Sequence, residues 1–283
     1  MIVVTGASGA LGQLVVKGLL GKVPAARIVA VVRDPAKAAH LAARGVQVRR
    51  ADYDDPHSLD AALAGAEKVL LVSSNVVGRR LPQHRNVIEA ARRAGVRLLA
   101  YTSILRASGS PLRLAQEHVA SEAAIRESGL AFSFLRNGWY VENFSSRIAG
   151  AAQHGEMVGS AGAGRISAAA RADYAAAAVA VLTADAPQEV YELAGSSSFT
   201  LAELAAEVAR QSGRPVVYRD VPQAEFEGVL AGVGVPAPWP ALLADSDAGA
   251  ARGALFDEGG ALEMLIGRPT CSLSQAVEAA LAA

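Results

Sequence analysis

Short runs of β-branched and aliphatic residues alternate along the first half of the chain with alanine-rich segments of helical character. Ile2 to Thr5, Ile28 to Val32, Val46 to Arg49, Lys68 to Val72, Leu98 to Thr102 and Ala131 to Leu135 read as strands, with a helix before each next one. That regular alternation is the signature of βαβ units and a parallel sheet. The punctuation agrees. Asp34-Pro35 and Asp55-Pro56 each place a capping carboxylate before a proline at a helix start, and Gly45, Gly65, Gly95 and Gly129 fall where helices should stop. The expected fold class is α/β, a doubly wound parallel sheet, which takes its ligand at the carboxyl ends of the strands.

Beyond Arg136 the pattern loosens. A glycine-rich stretch, Gly155 to Gly164, precedes an expected helix from Ala172 to Leu182 and a strand from Val190 to Leu193. Thr200 with Glu203 forms a capping box for a helix ending near Gly213, Val216 to Tyr218 reads as a strand, and Ser272 with Gln275 opens a final helix. Pro236, Pro238 and Pro240 around Trp239 read as a loop. The organisation expected is a Rossmann-like domain over 1–138 that also receives about 165–195, with a smaller C-terminal α/β lobe over 139–283.

With 283 residues, 52% hydrophobic and 19% charged, the chain can bury a full core. Its 27 basic and 27 acidic residues balance, so no overall field favours nucleic acid or an anionic membrane surface. The pairs Arg49-Arg50, Arg79-Arg80 and Arg92-Arg93 are scattered and read as solvated faces. Cys271 is the single cysteine, which excludes an intramolecular disulfide framework and a cysteine-based metal cluster, and suits a reducing compartment. No signal-like or membrane-spanning run is visible, and a cytoplasmic protein is expected.

The chemistry begins at the first strand. Thr5-Gly6-Ala7-Ser8-Gly9-Ala10-Leu11-Gly12 follows Met1 to Val4 at once and leads into an amphipathic helix. Strand, glycine-rich turn and helix in that order let the backbone approach a pyrophosphate, which the first helical N–H groups and the helix dipole attract. The spacing GxxGxxG, with Gly6, Gly9 and Gly12, matches the variant found in extended and atypical short-chain dehydrogenases. The second strand ends in Val32-Arg33-Asp34-Pro35. A guanidinium there suits a 2′-phosphate, which a carboxylate would repel. The competing reading gives the ribose to Asp34 and leaves Arg33 in solvent, but Asp34 already serves as a helix cap, so NADPH is the expected cofactor. Asp52, after the third strand, could accept from the adenine amino group or cap a turn, and both readings stand. Ser73-Ser74-Asn75 after the fourth strand offers small polar groups to the cofactor ribose and nicotinamide. Asn137-Gly138-Trp139-Tyr140 after the sixth offers a flat wall for a planar ring.

Together with these motifs, AVVRDPAKA, ADYDD, LLVSS, PQHRNVIEAA, AYTS, AQEHVASE, LRNGWYVEN and RADYAAAA, and the tail segments LADSDAGA, ALFDEGG and LIGRPT, give the chain a clear likeness. It resembles the type 2 NAD(P)H:quinone oxidoreductases, in the NmrA-like branch of the atypical short-chain dehydrogenases, from Met1 to about Leu281. The resemblance implies NADPH-preferring two-electron reduction of a quinone. It implies a phosphate turn at Gly6 to Leu11 and Arg33 at the 2′-phosphate. Ser73 to Asn75 would run along the cofactor, and Asn137, Gly138, Trp139, Tyr140, Val141 and Glu142 would lie near the nicotinamide.

The Tyr-x-x-x-Lys pair of ordinary short-chain dehydrogenases is replaced: aligned from Ser103, its positions hold Leu114 and His118. Loss of the general acid argues against reduction of a simple ketone and against epimerisation, since both need a positioned proton. A quinone asks less, because the hydroquinone oxyanion is stable enough to be protonated by water. His118, at the ribose or as a relay, and Tyr140 are the candidate catalytic residues. His118 could also be a helix histidine with purely internal partners, and His84 and His154 have no positional argument. No spacing suggests a metal site. Three classes follow: a flavin-free quinone reductase, an NmrA-type NADP(H)-binding sensor without turnover, and a reductase of another conjugated carbonyl such as an enone. The sequence does not separate a homodimer from a monomer.

Overall fold

The computed structural model describes residues 1–282. The chain divides into two compact units. The first is assembled from three separate stretches, 1–107, 116–137 and 171–192, and the second takes 108–115, 138–170 and 193–283. The sequence reading placed the domain boundary at 138/139 and left 108–115 in the first domain.

In the first unit the strands are β1 (Ile2–Val4), β2 (Ile28–Val32), β3 (Gln47–Arg50), β4 (Lys68–Leu71), β5 (Leu98–Ile104) and β6 (Phe132–Asn137). The helices between them are α1 (Ala10–Leu19), α2 (Ala39–Ala42), α3 (Pro56–Leu63), α4 (Arg80–Arg93) and α5 (Ala115–Glu127). The chain continues with α6 (Ser145–His154), β7 (Glu156–Gly159), α7 (Arg171–Thr183), β8 (Val190–Leu193), α8 (Leu201–Ser212) and β9 (Val217–Asp220). It ends with α9 (Gln223–Gly232), α10 (Trp239–Ala251), α11 (Ala261–Ile266) and α12 (Leu273–Leu281).

The main sheet has seven strands in the order β3-β2-β1-β4-β5-β6-β8, parallel in its pairings from β3 through β6. The order reverses between β1 and β4, and the crevice at their carboxyl ends is the switch point where such sheets bind ligands. On one face of the sheet a core forms in which Tyr101 and Phe134 are fully buried among Val3, Val69, Leu71, Leu99 and Ile125. α1 packs on α7 closely enough that a Cβ on Gly18 would stand 2.8 Å from Val179 Cγ2. Lys68 Nζ donates to the carbonyls of Leu182 and Ala184 at 2.9 and 2.6 Å, tying the end of α7 to β4. The four glycines expected as helix stops all have positive φ.

The second unit departs further from expectation. The glycine-rich stretch contains a strand, β7, paired in parallel with β9. Gly159 ends that strand where a Cβ would lie 2.8 Å from both Asp247 Oδ2 and Leu201 Cδ1, so glycine there serves close packing. The expected proline loop ends at Pro238, because Trp239 opens α10 with Pro240 in its first turn, where a missing N–H costs nothing. The LADSDAGA segment lies in α10 and is structural. Asp247 pairs with Arg147 at 3.1 Å, and Asp245 accepts from the Arg113 N–H at 2.8 Å.

Candidate active site

The phosphate turn follows from β1. Gly6 takes φ 59°, Ala7 N–H donates to the Val31 carbonyl at 3.1 Å, and Gly9 N–H returns to the Gly6 carbonyl at 2.9 Å. Gln13 Nε2 holds the Ser8 carbonyl at 2.8 Å. The glycines have different tasks. A Cβ on Gly12 would meet Gly6 O at 2.4 Å and Ala7 Cα at 2.8 Å, so Gly12 lets α1 sit against the turn. On Gly9 the contact would be Gly6 O alone, at 3.2 Å, so Gly9 keeps the space before the helix open. No side chain caps α1. The N–H groups of its first turn, from Ala10 and Leu11 onward, have no intrahelical acceptor and are a donor set for an anionic oxygen. A dinucleotide pyrophosphate therefore fits the residues present.

Across the switch point, Thr5 stitches β1 to β4. Its Oγ1 donates to the Leu70 carbonyl at 3.0 Å and accepts from Val72 N–H at 3.1 Å. Tyr53 OH lies against the same hydroxyl and donates to the Val72 carbonyl at 2.9 Å. Burial raises the Tyr53 phenol above its ordinary range, so it stays protonated.

Ser73 and Ser74, just past β4, are held from several sides. Ser73 N–H donates to Thr102 Oγ1 at 2.8 Å, and Ser74 N–H to His84 Nε2 at 3.0 Å. The Ser74 carbonyl accepts from Arg80 Nε at 2.7 Å, and its hydroxyl donates to Gln83 Oε1 at 2.5 Å. Arg80, Gln83 and His84 stand at i, i+3 and i+4 on one face of α4, so a single helix face grips one residue, Ser74, by its N–H, carbonyl and hydroxyl. Glu117 of α5 accepts from the Gly78 and Arg80 N–H groups, both at 3.0 Å. Because Nε2 of His84 accepts, its proton sits on Nδ1 and is donated to Ser121 Oγ at 2.8 Å; that hydroxyl donates onward to the Glu117 carbonyl at 2.7 Å. Burial, with the nearby Arg80 charge adding to it, lowers the His84 pKa to about 3, which keeps this tautomer neutral. Arg80 is only 7% exposed, which corrects the expectation of a solvated Arg79-Arg80 pair. Arg49 likewise turns inward, donating to the carbonyls of Ala62 and Ala64 at 2.9 and 2.8 Å.

His118 is 8% exposed on α5, and its Nδ1 shares a hydrogen bond of 2.8 Å with Tyr101 OH. Burial, reinforced by Arg80 and His84, pushes its pKa well below the ordinary value and leaves a neutral imidazole. Leu114, the other position of the lost pair, lies just before α5. Arg33 is exposed beyond β2 and lines a cavity of about 240 Å³ with Arg50, Ala51, Asp52, Asp55 and Ser58. Asp34 Oδ1 accepts from Ala36 N–H at 3.0 Å, and Asp52 Oδ1 from Asp54 N–H at 3.0 Å, so both carboxylates cap turns.

Gly6 to Leu11, Arg33, Ser73 and Ser74 thus gather at the carboxyl edge of the sheet, with Asn75 exposed beside them. Asn137 ends β6 and is 4% exposed, its carbonyl accepting from Leu105 N–H at 2.9 Å. Gly138 to Glu142 belong to the second unit, where the Ala169 carbonyl accepts from Val141 N–H at 3.0 Å and Ala169 N–H donates to the Trp139 carbonyl at 3.1 Å. The sequence reading missed Tyr53, Arg80, Gln83, His84 and Glu117. The available signal was polar residues at 80, 83 and 84 in phase with the buried stripe Val87, Ile88 and Ala91 of α4.

The NAD(P)H-binding family matches residues 6–185. A quinone oxidoreductase 2 of Escherichia coli (strain K12) is 51% identical over 278 residues, 98% of this chain and 97% of that protein. A crystal structure of an NADPH-dependent quinone oxidoreductase from Escherichia coli in complex with NADPH superposes with a TM-score of 0.97 at 51% identity, covering 99% of each chain. The triphenylmethane reductase of Citrobacter sp., crystallised with NADP(H), gives a TM-score of 0.95 at 38% identity over 99% of this chain and 100% of the other. With its uncapped glycine cradle and its strand order, the chain belongs to the NAD(P)H-binding family and, within it, to the type 2 quinone oxidoreductases.

Proposed function

We propose that this protein reduces quinones by two electrons at the expense of NADPH, with direct hydride transfer and no flavin. The observation that carries the reading is the cradle: a helix N-terminus left without a cap, behind glycines that admit a pyrophosphate. Full-length similarity to an NADPH-dependent quinone oxidoreductase supports the substrate class and favours turnover over a sensing role.

When bound, NADPH supplies the hydride. The protein binds and orients around it. Gly6 to Leu11 receive the pyrophosphate and Arg33 grips the 2′-phosphate. Ser73, held by Thr102 of β5, and Ser74, held by α4, present a rigid edge to the ribose and nicotinamide, joined by Asn75. Asn137, at the end of β6, lies at the carboxyl edge of the same sheet. His118 has Nε2 left for the ribose, since Nδ1 is engaged with Tyr101. A neutral imidazole is a weak acid, so the proton that completes the hydroquinone comes from water. Cys271 as the single cysteine fits action in the cytoplasm.

Mixing the protein, NADPH and a soluble quinone tests the reading: NADPH absorbance should fall with stoichiometric hydroquinone formation. Tight NADPH binding without consumption on any quinone or enone would overturn it in favour of a sensor.

A further inference from the structure

We propose that Arg50 is a second ligand for the cofactor's 2′-phosphate, so that two guanidiniums, from adjacent strands, set the preference for NADPH. This rests on Arg33 taking that phosphate in the proposed function. Arg50 is the last residue of β3, paired in register with Val32, and Arg33 follows Val32 immediately. Both arginines are exposed and both line the cavity of about 240 Å³ at the carboxyl ends of β2 and β3. Two like charges brought to one concavity repel, and the fold normally relieves this with a carboxylate. Asp52 and Asp55 line the same cavity, yet among the described residues neither arginine has an ion pair or a hydrogen bond.

The two carboxylates are turned to backbone instead. Asp52 Oδ1 accepts from Asp54 N–H, and Asp55 Oδ1 accepts from His57 N–H at 3.1 Å and Ser58 N–H at 3.3 Å, capping α3. What remains is two guanidiniums without an ion pair or hydrogen bond among the described residues, at a cavity that Ala51, Asp52, Asp55 and Ser58 complete, with the Asp54 carboxylate near enough to Arg33 for each to feel the other's charge. The ligand chemistry that answers them is a phosphate monoester, which carries a charge of about −1.5 to −2 near neutral pH and offers three acceptor oxygens. Each planar fork can engage two of them. The contrast with Arg49 is instructive. Its side chain is consumed by two carbonyls, so of the Arg49-Arg50 pair only Arg50 is available to a ligand.

Titration calorimetry with 2′-AMP, 5′-AMP, NADPH and NADH on the wild type, Arg33→Ala, Arg50→Ala and Arg50→Lys tests the assignment. Arg50→Ala should weaken 2′-AMP and NADPH about tenfold, equivalent to ~1.4 kcal/mol, while 5′-AMP and NADH keep their affinities. Arg50→Lys should fall between, having the charge without the fork. Arg50 is exposed at the end of β3, and unchanged melting of the variants confirms that binding alone is being read. A loss on Arg33→Ala with none on Arg50→Ala overturns the inference and leaves the NADPH reading standing. Equal weakening of 2′-AMP and 5′-AMP by Arg50→Ala overturns it as well, making Arg50 a general anion attractor. A wild type that binds 2′-AMP no better than 5′-AMP removes the 2′-phosphate reading for both arginines.

Discussion

Three helix starts in this protein present the same backbone chemistry and meet different fates. At α8, Thr200 accepts from Glu203 N–H at 3.1 Å while the Glu203 carboxylate accepts from Thr200 N–H at 2.7 Å. At α12, Ser272 and Gln275 exchange the same pair of bonds at 3.2 and 2.9 Å. At α1, Gly9 stands in the cap position with extended backbone, φ −79° and ψ 163°, and offers nothing. The first two helices satisfy their own N-termini, whereas α1 leaves its donors for something else. A capping side chain is worth about 0.5–2 kcal/mol over alanine, so leaving α1 without one costs a large domain little.

The sharpest way to break this contrast is to cap α1. Gly9→Asp puts a carboxylate on the first-turn N–H groups and against the pyrophosphate. NADPH affinity should fall by more than about a hundredfold, since two charge-assisted contacts of roughly 1.5–3 kcal/mol each are lost. Stability should hold to within about 1 kcal/mol. Calorimetric titration alongside a denaturant melt checks both, and unchanged NADPH binding would remove α1 from the site. Gly12→Ala separates packing from binding: its Cβ at 2.4 Å from Gly6 O should cost about 1–3 kcal/mol of stability as overpacking, with binding lost as a consequence.

Next in size is Arg33→Ala, which should weaken NADPH by about ten- to a hundredfold and leave NADH unchanged. A fixed ratio of the two dissociation constants would make Arg33 a surface residue. His84→Ala removes the acceptor for Ser74 N–H and should lower kcat/KM roughly tenfold, with His84→Gln recovering part of it through its amide oxygen. That loss corresponds to ~1.4 kcal/mol at the transition state. The same histidine sets an acid limit on stability. Its folded pKa of about 3 lies below the ordinary value of 6.5, so the unfolded chain binds the extra proton first. Stability is complete above about pH 6.5 and declines as pH falls towards 3, in the direction that His118 reinforces. Thermal melts across that range would show it. The smallest effect belongs to Thr200→Ala, about 1 kcal/mol from a lost cap, a few degrees in Tm, with NADPH affinity untouched.

Strands buried within the parallel sheet were readable because apolar runs such as Ile28–Val32 leave little alternative, and the capping boxes at Thr200 and Ser272 announce themselves by spacing. β7 hid in a glycine-rich stretch because Gly159 is there to make room for Asp247 and Leu201. α10 hid because it buries Asp245, Ser246 and Asp247, so its inner face does not look apolar. The clamp on Ser74 was the hardest to see. Two of its three bonds go to backbone N–H and C=O groups, which carry no side-chain signature, and Ser121, which orients His84, lies 37 positions away. Glycine turns and strand ends reveal where a cofactor lies; what stiffens that edge depends on contacts only the folded chain brings together.

The first unit is threaded from three stretches, and its last, 171–192, supplies α7 and β8. During synthesis this sets an order of events. When Asn137 leaves the ribosome, six of the seven sheet strands exist, yet the helix that packs on α1 at Gly18 and the edge strand beside β6 do not. They arrive about 55 residues later, a delay of roughly 3–11 s at ordinary elongation rates. Over that interval the apolar flank of α1 and the open rim of β6 have no cover, and the nascent chain is at its most adhesive. A gene fragment ending near residue 138 would be arrested in that state, so the nucleotide-binding half is not an N-terminal piece of this protein, and any shortened chain must keep 171–192.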